Sequence, residues 1–340
     1  MTVHVSCGMM VTSKWIILKP TQEVGTIDWM KEEKRAVRRS ADIIALVELG
    51  SIGINYLLYP LVRRLPAFAA GSFGEELREL ILYLIIFAVP VAVAAKLSGM
   101  TAREMIGSED PPASVYIMTI GLTMGWSLLA NYLGIGIEGI LNLFGLTEAV
   151  DVYVLPSSGA ALVVQIVSVA ILPPIVEEIC YRGFFLNIAV RSMGTWGAIV
   201  LTSIAFWLAH YSIEILPLAF GFGIIGGYIR RRYGSLLPSM CGHLVVNGIY
   251  LIINISWETC GSQTGTIISA VVYLIEIFMG AVGIALFVRN GCLKELTEGK
   301  FGRYSLLTPR QLAGAVLTSV PAWIILIMAI YFTAGGLGGV

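Results

Sequence analysis

Nine apolar windows divide the chain, at about 41 to 62, 79 to 98, 114 to 133, 159 to 190, 195 to 211, 214 to 229, 236 to 254, 266 to 289 and 312 to 335. A helix that crosses a bilayer needs about 20 mostly apolar residues, because the hydrocarbon core is roughly 30 Å thick and each backbone polar group must be satisfied within the segment. Most windows meet that length. The fifth and sixth are short and closely joined, which fits a tight hairpin or a partly re-entrant pair. The pattern predicts an all-α fold, a polytopic transmembrane helical bundle with about eight or nine spans.

Composition agrees: 57% of the 340 residues are hydrophobic and only 13% charged, with a mean hydropathy of +0.83, against about 25% charged residues in an ordinary soluble domain. Lys+Arg and Asp+Glu are both 22, so no basic face of the kind that binds nucleic acid is implied. The placement of the positive charges is more informative than their sum. Alternate loops collect the N-terminal set from Lys14 to Arg39, then Lys96 and Arg103, Arg191, the run Arg230, Arg231 and Arg232, and Arg289 to Arg310. Cytoplasmic loops accumulate Lys and Arg, so nine spans put the N-terminus in the cytoplasm and the C-terminus outside. Arg63, Arg64 and Arg78 in loop 63 to 78 dissent.

Residues 1 to 40 read as a cytoplasmic N-terminal leader and 41 to 340 as one membrane domain, without internal repeats. The leader lacks the ordered features of a cleaved signal peptide. Its charged stretch 28 to 39 reads as a solvated leader, with a surface helix as the alternative. The five cysteines (Cys7, Cys180, Cys241, Cys260 and Cys292) have no CxxC spacing and read as free thiols. Usage of Ile, Gly and Met together with the charge asymmetry points to a prokaryotic plasma membrane.

An ionisable side chain at mid-bilayer costs at least roughly 2.5 to 3.5 kcal/mol, so each one inside a window needs a reason. The fourth window holds Glu177 and Glu178, with Arg182 one turn beyond Glu178. Two adjacent carboxylates in a low dielectric do not both ionise cheaply. Spacing pairs Glu178 with Arg182 at i and i+4 and leaves Glu177, about 100° round the helix, as the free carboxylate. Pro173 and Pro174 just upstream remove backbone donors and leave carbonyls open. The fifth window ends in Phe206-x-x-x-His210 and the seventh carries His243-x-x-x-Asn247, each pair on one helix face.

Glutamate, histidine and asparagine within one third of the chain suit water-mediated hydrolysis. A buried carboxylate takes a proton from water, a histidine aligns that water, and a second histidine with an amide faces the developing oxyanion. Cys180 and Ser239 are the nearby nucleophile candidates. Plainer readings exist for each residue. Glu178 with Arg182 is as readily a structural ion pair, lone intramembrane histidines and Asn247 bridge helices, and Phe206 reads as packing. The arginine run reads as a topology anchor, the glycines of 221 to 227 as a close-packing face, and Trp207 and Tyr211 as interface anchors.

Glu177-Glu178-x-x-x-Arg182, Phe206-x-x-x-His210 and His243-x-x-x-Asn247 together resemble the three motifs of the CPBP intramembrane proteases, which include type II CAAX prenyl endopeptidases and bacteriocin-processing Abi proteins. The resemblance covers 159 to 254, the motif-bearing catalytic core, without substitution at any motif position. It implies a glutamic endopeptidase in which Glu177 activates water, His210 helps hold that water, His243 and Asn247 form the oxyanion hole, and Glu178, Arg182 and Phe206 support the site. No cofactor is expected, although two His and two Glu are by type able to ligate zinc. The implied substrate is a membrane peptide or protein, either a prenylated CAAX-like tail or a bacteriocin or pheromone precursor. The sequence assigns no oligomeric state. Two other readings of the same residues are a proton-coupled transporter and a non-catalytic immunity or scaffold membrane protein. Within these window boundaries, His243 sits nearer its cytoplasmic helix end than Glu177 or His210, so the seventh span must start earlier, tilt or be displaced.

Overall fold

The computed structural model describes residues 9–11, 14–16, 29–62, 68–148, 153–302 and 305–339. His4, Cys7, Lys19, Arg63, Arg64 and Arg303 lie outside the described residues, as does most of the leader. The described chain is almost entirely helical, with two short two-stranded ribbons, Met9–Val11 with Lys14–Ile16 and Leu146–Glu148 with Leu337–Gly339. In order the helices are α1 (Trp29–Val62), α2 (Phe73–Tyr83), α3 (Val89–Leu97), α4 (Ala102–Ile106), α5 (Ala113–Leu143), α6 (Gly159–Gln165), α7 (Leu172–Glu177), α8 (Leu186–Leu208), α9 (Leu216–Tyr233), α10 (Leu237–Arg289), α11 (Cys292–Thr297), α12 (Pro309–Val316) and α13 (Val320–Gly336).

Helix α1 decides between the two readings of the charged stretch. It begins at Trp29, inside that stretch, and runs on through the first apolar window as one helix. Val37 is fully buried, and Ser40 Oγ lies 2.9 Å from Ser192 Oγ. Residues 29 to 40 therefore form the surface helix of the alternative reading, with Val37 and Ser40 on its packed face and Lys31, Glu32, Arg35, Arg38 and Arg39 exposed.

Among the described residues, five helices are long and apolar enough to cross a membrane, or six if Pro309–Val316 and Val320–Gly335, bent by 81°, form one span. By this measure the expected eight or nine spans are not reached. Two of the five are too long for one crossing: 53 residues of α-helix extend about 80 Å, against roughly 30 Å of hydrocarbon. Both fold back at a glycine. Within Leu237–Arg289, Gly261 adopts φ 76° and ψ 169°, and across it Trp257 Nε1 donates to Ser269 Oγ at 3.0 Å. The two legs of α10 lie on the same stretch of α5. A Cβ added to Gly242 would come 2.8 Å from Thr123 Oγ1, and one added to Gly121 would come 2.9 Å from Gly283 Cα.

The same device acts in the 50-residue run Gly159–Leu208, where Gly194 has φ 70° and ψ 177°. The rings of Tyr181 and Phe206 then meet at 4.9 Å, whereas a straight helix would part them by about 37 Å. This turn brings the second motif onto the first. The buried core, including Met118, Phe184, Phe185, Ile199 and Ile229, lies around these folded-back legs. Leu57, Ile140, Leu274, Phe278 and Ile327 are exposed on the outside, an apolar surface suited to lipid. The chain is an integral membrane protein.

Candidate active site

Glu177 closes α7 and Glu178 opens a π-helical segment, Glu178–Phe185. A second π-helical segment, Ile166–Ile171, precedes α7. Both widenings flank Pro173 and Pro174, which carry no amide hydrogen and cannot close an ordinary helical turn. The two glutamates part in their contacts as their spacing predicts. Glu178, with no exposed surface, forms an ion pair with Arg182 at 2.9 Å and accepts a hydrogen bond from Ser239 Oγ. Arg182 also lies over the Phe206 ring, 4.3 Å from its centroid, and 5.5 Å from that of Phe222. The guanidinium is thus held by charge and by aromatic faces, while its Nη1 and Nη2 make no hydrogen bond among the described residues.

Among the described residues no Lys or Arg pairs with Glu177. Its side chain is 16% exposed, Tyr83 donates to its Oε1 at 3.1 Å, and Oε2 stands 3.7 Å from His243 Nε2. The other face of the His243 ring brings Nδ1 to 3.4 Å from Glu178 Oε1. His243 thus lies between the two carboxylates, and the Phe222 ring covers it at 4.5 Å.

His210 lies just past the end of α8. Its Nδ1 is 2.7 Å from the Phe206 carbonyl, and a carbonyl only accepts, so Nδ1 carries the proton and a neutral ring presents Nε2 as an acceptor. Phe206 stands edge-on to both histidines, with centroids 4.9 Å from His210 and 6.0 Å from His243. The turn after His210 is tightly tied: Tyr211 has φ 51°, Trp207 Nε1 donates to the Ser212 carbonyl, and Glu148 accepts from Ser212 Oγ and Ile213 N. Trp207 is thus a turn clamp. Asn247, one turn beyond His243, donates through Nδ2 to the Val169 carbonyl at 3.0 Å.

The structure therefore joins Glu177, Glu178, Arg182, Phe206 and His243 directly. His210 is joined through Phe206, and Asn247 through Val169. Helix α10 starts at Leu237, so the expected mismatch in depth is not met by an earlier start. Ser239, a nucleophile candidate in the sequence, is completely buried with its hydroxyl on Glu178. Cys180, Cys241, Cys260 and Cys292 are free thiols, and Cys180 is buried. Gly226 of α9 faces the ion pair, where a Cβ would sit 2.9 Å from Ser239 Oγ and 3.2 Å from Arg182 Nε, so the glycine face does serve close packing.

Sequence reasoning missed Tyr83, Phe222 and the pair formed by Tyr181 and Glu48, whose hydroxyl and carboxylate meet at 2.7 Å. No local signal ties Tyr83 to a glutamate 94 residues away. Ser239 was findable in its true place, since 239, 243 and 247 share one helix face. Beside the site, a cavity of about 590 Å³ is lined by Glu48, Asn55, Arg78, Glu79, Tyr83 and Tyr211 among others. Tyr83 lines this cavity and donates to Glu177, which is not among the lining residues.

Residues 159–249 match the family model described as type II CAAX prenyl endopeptidase Rce1-like. All seven motif residues fall inside the match, which ends a few residues short of the core read from the sequence. No curated protein and no solved structure matches the chain.

Proposed function

We propose that this chain, whose 159–249 segment matches the CAAX-type proteases of the CPBP family, is an intramembrane endopeptidase that hydrolyses a peptide bond with water activated by Glu177. The observation that carries the reading is the division between the two glutamates: Glu178 is neutralised by Arg182, while Glu177 faces His243 and accepts from Tyr83.

In this mechanism Glu177 removes a proton from water and the oxygen adds to the carbonyl carbon. The oxyanion that forms is met by a hydrogen bond from His243 and by the second amide hydrogen of Asn247, the first being held by Val169. The C–N bond then breaks as the proton held by Glu177 passes to the leaving amine. His210 Nε2 is an acceptor able to orient the water. Phe206, Glu178 and Arg182 hold the histidines and keep the second carboxylate out of the chemistry. No cofactor is needed for these steps. The substrate is a membrane-associated peptide, a CAAX-like tail or a bacteriocin or pheromone precursor.

The hairpins at Gly194 and Gly261 support counting each leg as a crossing, which with α9 and the last helix pair yields eight or nine. The loop charges then put the N-terminus in the cytoplasm, in a prokaryotic plasma membrane. Cleavage of a membrane-compatible peptide library by purified protein tests the reading. Cleavage lost in Glu177→Gln and insensitive to a strong chelator supports it. Cleavage that survives Glu177→Gln removes Glu177 from the mechanism, chelator sensitivity replaces the metal-free route, and no cleavage by the wild type sinks the protease reading.

A further inference from the structure

In a regular helix the carbonyl of Val169 would accept from the amide of residue 173, and in a π-helical turn from that of residue 174. Both are prolines. Leu172, the last residue with an amide, already donates to Val167. The Val169 carbonyl therefore has no donor within its own helix, and the ring of Pro173 crowds that same oxygen and tilts it off the axis. An unsatisfied carbonyl in an apolar interior is costly. Its partner comes from another helix: Asn247 Nδ2, at 3.0 Å.

Asn247 lies one turn from His243 on α10, and Val169 two turns before Glu177. Two fixed points, His243 near Glu177 at 3.7 Å and Asn247 on Val169, set both the sliding and the rotation of α10 against the glutamate-bearing segment. We propose that Pro173 and Pro174 free the Val169 carbonyl for Asn247, making Asn247 a positioning residue that holds His243 in register with Glu177. The proposal rests on Glu177 being the base, and adds to the oxyanion role a clasp made from the proline pair.

The test is a double-mutant cycle of Asn247→Ala and the pair Pro173→Ala/Pro174→Ala, with kcat, KM and thermal midpoint measured on full-length protein in detergent. New amides at 173 and 174 satisfy Val169 internally and turn its carbonyl back along the helix axis. Each side of the cycle then breaks the same clasp and lowers kcat by on the order of ten- to a hundredfold with KM little changed, and the combination loses no more than the worse of the two.

Stability separates from activity. Asn247→Ala alone lowers the midpoint because Val169 is orphaned, and the combined variant regains it without regaining kcat. Additive kcat losses, or proline variants with wild-type kcat beside an inactive Asn247→Ala, overturn the clasp. The midpoint cycle is repeated in a Glu177→Gln background, so it stands even if Glu177 proves not to be the base. Midpoints that do not couple there also overturn it.

Discussion

The Tyr83 hydroxyl donates to Glu177 Oε1 at 3.1 Å, so the candidate base is held by a side chain from outside the segment that matches the family. A hydrogen bond to a charged group contributes about 1.5–3 kcal/mol, roughly ten- to a hundredfold in rate if all of it is expressed in the transition state. Tyr83→Phe is expected to lower kcat/KM within that range while leaving the thermal midpoint near wild type. Steady-state kinetics on a cleaved peptide checks this, and an unchanged kcat/KM would show the bond to be incidental.

Glu178 and Arg182 form a pair with almost no exposed surface. Removing one partner of such a pair leaves a buried charge and destabilises by about 3–5 kcal/mol, whereas replacing both is far milder. Arg182→Met is expected to lower the unfolding midpoint sharply, and Glu178→Gln/Arg182→Met to recover much of the loss. Thermal unfolding in detergent reads both, and equal losses in the single and double variants would contradict the assignment.

Ser239 sits with its hydroxyl on Glu178, and Cys180 is a buried thiol. Neither is placed as a nucleophile. Ser239→Ala and Cys180→Ala are each expected to retain at least about a tenth of wild-type cleavage, because the lost contact is a single hydrogen bond or less. Serine- and cysteine-directed inhibitors are expected to leave the wild type active. Abolition of cleavage by either substitution would restore a covalent route.

Gly261 turns α10 back on itself at φ 76° and ψ 169°, with open space for at least 4 Å around the point where a Cβ would sit. Such a conformation is almost restricted to glycine and costs other residues about 1–3 kcal/mol. Gly261→Ala is therefore expected to lower stability through backbone strain alone, whereas Gly248→Ala, in helical backbone with equal room, stays at or above wild type. Paired unfolding curves decide, and equal midpoints would remove the strain argument.

How far the residues could be read without the fold differs between parts of the site. The pairing of Glu178 with Arg182, and the freeing of Glu177, depend on angles within one helix, so spacing alone predicted them. The helical class followed from hydropathy for the same reason: lipid admits few backbone solutions, and apolar length decides among them. Which of its two readings residues 29 to 40 adopt did not follow, because charge marks solvent exposure but not backbone conformation, and it is Val37 and Ser40 packing one face that anchor that stretch as a surface helix.

By itself the sequence determined a helical membrane protein, the three motifs and the division of the two glutamates, because these rest on composition and on periodicities of one turn. Tertiary structure alone decided that Tyr83 holds Glu177, that His243 and not His210 lies between the carboxylates, that Ser239 serves Glu178, and that Asn247 answers a carbonyl freed by two prolines. Those contacts span from 61 to 94 positions, or depend on glycine turns that reverse a helix, and contacts across a reversal are set by packing that no local pattern encodes.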